Sequence, residues 1–311
     1  MDGIVGIYGP HDRELVNKAF LATGACQHRG KASTGIAVGS GKGIYIHKDL
    51  GRIAEVIDSR LVKIFQDLSP QAVIGNIGYT KNAVAEKVNV EPVEIVPYSA
   101  SDYQVVITMD GYRTGEEELI EELSGEYNFH TSNITEVVGA LLHKYISEEG
   151  ISFTAGERLS EKLEGRATFA LAALVYDGKE THLITLNDTK AFEPFCYGIM
   201  DNTFIASSES CSHRRLGGAI QKEYDGAEMS ICNSSGIETR RVRAKQMTPD
   251  VFQAVYFGNV ASLFRGKEIF QIRRELGLKL AEYYKNTSAD IVIPNPESGW
   301  GVSVGLAEGL K

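Results

Sequence analysis

The residue types that could do chemistry are spread thinly along the chain. The four cysteines, Cys26, Cys196, Cys211 and Cys232, form no CxxC pair and no short Cys/His cluster. A structural zinc site usually brings two ligands within a few residues of each other. Convergence of the four thiols on an iron–sulfur cluster stays open, but small buried thiols in a reducing compartment are the plainer expectation. No metal and no cofactor are expected. Glu297-Ser298-Gly299 stands between an apolar run at 289–294 and a helical pattern at 302–310. Such a loop leads from a strand into a helix. Arg240, Arg241 and Arg243, and the pair Arg273-Arg274, are basic clusters for which solvation or ion pairing is expected.

The elements that must position these groups change character along the chain. Leu15, Val16, Ala19, Phe20 and Ala22 give residues 13–25 a helical stripe. Short β runs follow at 34–38, 43–46, 72–79 and 103–109, and residues 115–124 and 134–147 look helical. From 167 the pattern is strand after strand, at 168–176, 181–186, 195–200, 203–207 and 226–232. Asp177-Gly178 and Asp201-Asn202 supply the tight turns. Two antiparallel sheets covered by helices account for this mixture. Thr248-Pro249-Asp250 opens a new segment, with a strand-like Phe252–Phe257, a helix over 268–284 and a parallel-type apolar strand at 289–294. The expected division is 1–247 and 248–311, in keeping with about 150 residues per domain for a chain of 311.

Composition narrows the function. Apolar residues make up 43% and charged residues 23%, ordinary values for a globular protein. With 32 basic and 41 acidic residues the net charge is −9, which argues against nucleic acid or an anionic membrane as partner. The longest apolar run, 167–176, is too short to span a bilayer. The N-terminus shows no basic stretch before an apolar core, so a cytoplasmic protein is expected.

Several segments then resemble one family, in order. Gly3-Ile4-Val5-Gly6-Ile7, Gln27-His28-Arg29-Gly30, Thr34-Gly35-Ile36-Ala37 and Ala206-Ser207-Ser208-Glu209-Ser210 resemble class II glutamine amidotransferases, which are N-terminal nucleophile hydrolases. Val255-Tyr256-Phe257 and Pro294-Asn295-Pro296-Glu297-Ser298-Gly299 resemble the linker and first phosphoribosyltransferase loop of the amidophosphoribosyltransferase family. The resemblance implies an α+β fold, a four-layer αββα sandwich, with a short C-terminal α/β segment resembling the start of a phosphoribosyltransferase domain. It also implies a link to purine metabolism, and at Glu297-Ser298-Gly299 a phosphate loop that would present N–H groups to a nucleotide or phosphorylated metabolite, the plainer alternative being a strand-to-helix turn.

The same resemblance implies lost chemistry. The family nucleophile is a cysteine exposed as the first residue, whose own α-amine is the general base; the matching position is Asp2, behind a Met1 that should be retained. The family arginine that grips the glutamine carboxylate corresponds to Gly78 in Gly75-Asn76-Ile77-Gly78-Tyr79-Thr80. The oxyanion donors correspond to Asp110-Gly111, where Asp110 has no amide. The aspartate for the α-amino group corresponds to Ile134. Losing one oxyanion donor costs about 3–4 kcal/mol, and losing the nucleophile removes the mechanism. No glutaminase residues are therefore expected, nor a complete phosphoribosyltransferase site, since the family's later acidic pair and ribose-phosphate loop find no match in this sequence. Asp2, Asp110 and Lys81, with His28 and Arg29 near them, are expected around the old glutamine pocket, as an acid–base or cation-binding site or as an unused remnant. Three functions stand: a degenerate homologue that binds, scaffolds or regulates; an enzyme with repurposed chemistry; and a working amidotransferase. An oligomer or a protein partner is expected, because the short C-terminal α/β unit leaves strand edges to be covered.

Overall fold

Burial on both faces of the first strand decides the architecture. The structure is a computed structural model and describes residues 1–79, 85–113, 117–243 and 245–311. Every residue of β1 (Gly3–Tyr8) is buried, so other layers must cover both its faces. After it come α1 (Leu15–Ala25), β2 (Ser33–Ser40), β3 (Gly43–Leu50), α2 (Ile53–Val56), α3 (Ser59–Gln66), β4 (Ala72–Gly78), β5 (Val93–Ile95) and β6 (Gln104–Arg113). Next are α4 (Glu117–Leu123), α5 (Ile134–Glu149), α6 (Phe153–Leu163), β7 (Ala167–Tyr176), β8 (Thr181–Asn187), β9 (Cys196–Met200) and β10 (Thr203–Ser207). The chain continues through α7 (Cys211–Arg215), β11 (Lys222–Glu223), β12 (Glu228–Asn233) and β13 (Gly236–Arg241). A small hairpin, β14 (Leu263–Phe264) and β15 (Lys267–Glu268), precedes α8 (Ile269–Tyr284) and α9 (Trp300–Gly309).

Among the described residues the larger sheets have seven strands, in the order β11-β9-β10-β1-β4-β2-β3, and six strands, in the order β13-β12-β8-β7-β6-β5. All the pairs are antiparallel. Side chains alternate across a strand, and β1 follows this rule. Ile4 joins Ile74, Val106, Ala172 and Phe204 in the core between the sheets. Val5 and Ile7 join Leu15, Ala19 and Phe65 under the helices of the first sheet. The outer face of the second sheet is covered by α5 and α6 through Leu141, Leu142, Ile146 and Leu159. These are the helix–sheet–sheet–helix layers of the N-terminal nucleophile hydrolases. Tyr176 pairs with Thr181 across the Asp177-Gly178 turn. Asp201 and Asn202 both take positive φ, 49° and 62°, as a type I′ turn demands.

Beyond 247 the structure departs from the sequence expectation. Residues 289–294 form no strand, and Ile291 and Ile293 are 74% and 81% exposed. An isolated strand has no neighbour for its N–H and C=O groups. Phe252–Phe257 is helical instead of extended, which lets the Phe252 ring lie against those of Tyr256 and Phe257. Among the described residues no helix is long and apolar enough to cross a membrane.

Candidate functional site

Register brings the chemistry together at one end of the layer between the sheets. Ile4 pairs with Asn76 and Gly3 with Ile77, so Asp2, continuing that register, lies opposite Gly78 on the face shared by Ile4 and Asn76. On β6, Thr108 and Asp110 follow Val106 on the face turned to the first sheet, by the same alternation. The N-terminus of α5 closes the third side; its cap is Asn133, whose side chain accepts the N–H of Thr135 at 3.1 Å. A cavity of about 490 Å³ opens between these elements, lined among others by Asp2, Asn76, Gly78, Asp110, Gly111 and Ile134. The structure thus gathers all five positions matched to the family's glutamine-handling residues.

Asp2 is held on three sides. Its N–H donates to Asp110 Oδ1 at 2.7 Å, its carbonyl accepts from Arg29 Nε at 2.7 Å, and its Oδ1 accepts the Tyr79 N–H at 2.9 Å. Burial, with the nearby carboxylates of Glu91 and Asp110, pushes the Asp2 pKa up to about 7. At Gly78, a Cβ would stand 2.1 Å from Ser33 Oγ and 3.4 Å from Asn76 Oδ1. Any side chain there requires Ser33 to rotate away. A Cβ on Gly111 would meet the Thr168 carbonyl at 2.3 Å, so only glycine fits beside β7.

Beneath the cavity lies an ion network. Arg29 is fully buried; its guanidinium donates to Asp110 Oδ2 at 2.8 Å, Glu209 Oε1 at 2.8 Å and Gln253 Oε1 at 3.1 Å and lies over the Phe257 ring, 4.9 Å from its centroid. Glu209 meets His28 Nε2 at 2.7 Å and accepts from Asn259 N–H and Ser262 Oγ. Burial alone raises the Glu209 pKa, but His28 and Arg29 outweigh it and hold the group well below the usual carboxylate range. Burial lowers the His28 pKa, and Glu209 more than reverses this.

A second network surrounds Glu91. Its carboxylate accepts from Thr135 Oγ1 and Asn133 Nδ2 on one oxygen, and from Thr108 Oγ1, the Met109 N–H and Asn76 Nδ2 on the other, at 2.5–3.3 Å. Burial raises the Glu91 pKa against the pull of these bonds. Burial and Asp110 likewise push Glu193, which lies near Asp110, up to about 8.

Residues 91–212 match the family described as "Glutamine amidotransferase domain". The chain is 29% identical over 310 residues to the amidophosphoribosyltransferase of Archaeoglobus fulgidus, covering 99% of this chain and 65% of that one. It is 26% identical over 325 residues to the same enzyme of Methanocaldococcus jannaschii, covering 99% and 66%. The chain resembles amidophosphoribosyltransferase. Among solved structures, the glutamine phosphoribosylpyrophosphate amidotransferase of B. subtilis, complexed with ADP and GMP, superposes with a TM-score of 0.82 at 24% identity, over 99% of this chain and 64% of that one. A structure described as the allosteric regulatory enzyme of purine biosynthesis gives 0.84 at 24% identity, over 99% and 63%. The chain spans about two thirds of the length of these amidophosphoribosyltransferases.

Not every expected site residue lies at the cavity. Arg29 and His28 do not line it; they sit behind β1, because the Glu209 carboxylate and the Asp2 carbonyl hold them there. Lys81 lies outside the described residues. Glu297, Ser298 and Gly299 form the turn into α9, away from the cavity, and the Gly299 N–H is already donated to the Asn295 carbonyl. Cys26 is one residue out of phase with Asp2: a Cβ on Gly3 would stand 2.7 Å from Cys26 Cβ, on the helix side of β1, so its sulfur does not reach the cavity. The four thiols do not converge; Cys232 lies between the sheets, and among the described residues no His, Cys, Asp or Glu group could hold a metal. The sequence reading missed Glu91, Glu193 and the acceptor role of Asn76. Glu91 carried a signal, since it is a lone charge in the apolar stretch Val90-Glu91-Pro92-Val93.

Proposed function

We propose that this chain is a catalytically degenerate relative of amidophosphoribosyltransferase that binds, scaffolds or regulates, in purine or amide-nitrogen metabolism, without glutaminase chemistry. One observation carries the reading. At the position matched to the family nucleophile stands the Asp2 carboxylate, bonded to the Tyr79 N–H, and no cysteine is among the described residues that line the cavity. A carboxylate attacks an amide poorly, and a carboxylate at Asp110 repels a developing oxyanion. Gly78 and Ile134 offer no charge to grip an amino acid's two ends.

The site of this reading is Asp2, Gly78, Asp110, Gly111 and Ile134. Its two units are 1–247 and 248–311, the second resembling the start of a phosphoribosyltransferase domain. Exposed Tyr283, Ile291, Ile293 and Trp300 support contact with a second copy or another protein, and the family resemblance supports a cytoplasmic location. The test is release of ammonia and glutamate from glutamine by the purified chain. Release at the level of the protein-free blank is expected; sustained turnover abolished by Asp2→Ala would sink the reading. A second reading, repurposed acid–base chemistry, is favoured by the Asp2 pKa of about 7, which lets one group both give and take a proton near neutrality.

A further inference from the structure

The wall of the cavity carries an acceptor with no partner. Asn76 is fully buried, lines the cavity, and its Oδ1 has no hydrogen-bond partner. Its orientation is set by its neighbours. Thr108 Oγ1 gives its proton to Glu91 Oε2 and so has only acceptor capacity left for Asn76. The Glu91 oxygen is an acceptor too. Asn76 must therefore turn its Nδ2 toward both, at 2.9 and 3.3 Å, and its Oδ1 the other way. That oxygen faces the space over Gly78, 3.4 Å from where a Cβ would be. An unpaired buried carbonyl costs about 1–3 kcal/mol, which a donor in the cavity would offset.

The groups around it favour one kind of donor. Asp2 shares the face with Asn76, and one of its carboxylate oxygens is left after the Tyr79 bond. Glu86 and Asp110 also line the cavity, no Lys, Arg or His does so among the described residues, and the Met1 α-ammonium, which does line it, stands 4.0 Å from Asp110 Oδ1. At the N-terminus of α5 the Thr135 hydroxyl and the Asn133 side-chain amide donate to Glu91, and the Thr135 N–H donates to Asn133 Oδ1. The Thr131 and His130 N–H groups are donated to Glu136. An anionic ligand meets the carboxylates of Asp2, Glu86 and Asp110 here, whereas a cation bearing N–H groups meets the free acceptor Asn76 Oδ1 beside Asp2.

We propose that the cavity binds the head group of a small organic cation, a primary ammonium or a guanidinium, between Asn76 Oδ1 and the Asp2 carboxylate. This rests on the reading that the pocket no longer handles glutamine. The experiment is calorimetric titration of the full chain with n-butylammonium and n-butylguanidinium, set against n-butyramide and butyrate. At least one cation is expected to bind tenfold or more tighter than n-butyramide, with butyrate undetected. Asp2→Asn, which keeps an acceptor for the Tyr79 N–H, should weaken the cation about tenfold and leave n-butyramide unchanged. The two cations distinguish the head groups. Cation binding no tighter than n-butyramide, or equal in the folded Asp2→Asn protein, overturns the proposal; should that variant not fold, the wild-type comparison alone decides. Glutamine turnover would instead overturn the degenerate reading, whichever way the cation result falls.

Discussion

The floor and the wall of one cavity have been treated differently. In the floor, Arg29 satisfies Asp110, Glu209, Gln253 and the Asp2 carbonyl at once. In the wall, Asn76 keeps an unpaired oxygen, Gly78 has no side chain, Ile134 is apolar and Asp2 is pushed toward neutrality. The floor ties β1, β6, the β10–α7 turn and the segment after 247 into one body, so altering it disturbs folding. The wall is tied to the fold by fewer charged bonds and leaves Asn76 Oδ1 open, so its polar groups are there for what enters the cavity. Charged groups lost from the wall cost recognition; charged groups lost from the floor cost stability.

That contrast breaks most sharply at Arg29. Arg29→Ala takes the guanidinium from the buried Asp110 carboxylate and leaves Glu209 to His28 alone as its cation, and a loss of about 3–5 kcal/mol is expected, read as a fall in the denaturant midpoint. Glu91→Ala comes next. It orphans donors from Thr108, Asn133, Thr135 and the Met109 backbone, and about 2–3 kcal/mol should go, measured in the same way. Gln253→Ala severs the bond from the later segment to the buried arginine. About 1–2 kcal/mol is expected, with faster amide exchange in 248–262 as the readout; unchanged exchange there would show that Gln253 is not what ties that segment to the floor, leaving the Glu209 bonds to Asn259 and Ser262 to do so.

The smallest effect belongs to the wall and has the opposite sign. Asp2 has a folded pKa of about 7 against an ordinary 3.8, so the folded chain holds this proton more tightly than the unfolded chain does. The stability from that proton is fully present below about pH 4 and is lost as pH rises through 7. Asp2→Asn removes the loss. Because Asp2 is partly open to water, screening limits the gain to about 1 kcal/mol at pH 8, about 2–4 °C in melting temperature, vanishing near pH 4. A gain that persists undiminished at pH 4 would show that titration is not its cause.

Much of the fold was legible because it rests on short-range pattern. The stripe Leu15, Val16, Ala19, Ala22 became α1, and Asp177-Gly178 became the β7–β8 turn, since 3.6-residue and two-residue periods need no knowledge of the partner. The strand read at 289–294 failed for the converse reason: its apolar run needs a neighbouring strand, and none of the described residues supplies one. At the site, Asp2, Gly78, Asp110 and Ile134 could be named in advance through the family resemblance, and they do share one cavity. Glu91 and Asn76 could not, because their roles depend on which hydroxyls and N–H groups surround them.

By itself the sequence determined that the layered scaffold would form, and the resemblance it carries led to the expectation that Asp2, Gly78 and Asp110 stand where the family has a cysteine, an arginine and an amide, because residue identity and order settle which reactive groups exist. Only the tertiary structure decided that Arg29 and His28 stand behind β1 while Asn76 Oδ1 faces the cavity unpaired. Those outcomes follow from side-chain alternation across paired strands and from which acceptors each donor meets, and both are set by residues far apart in the chain.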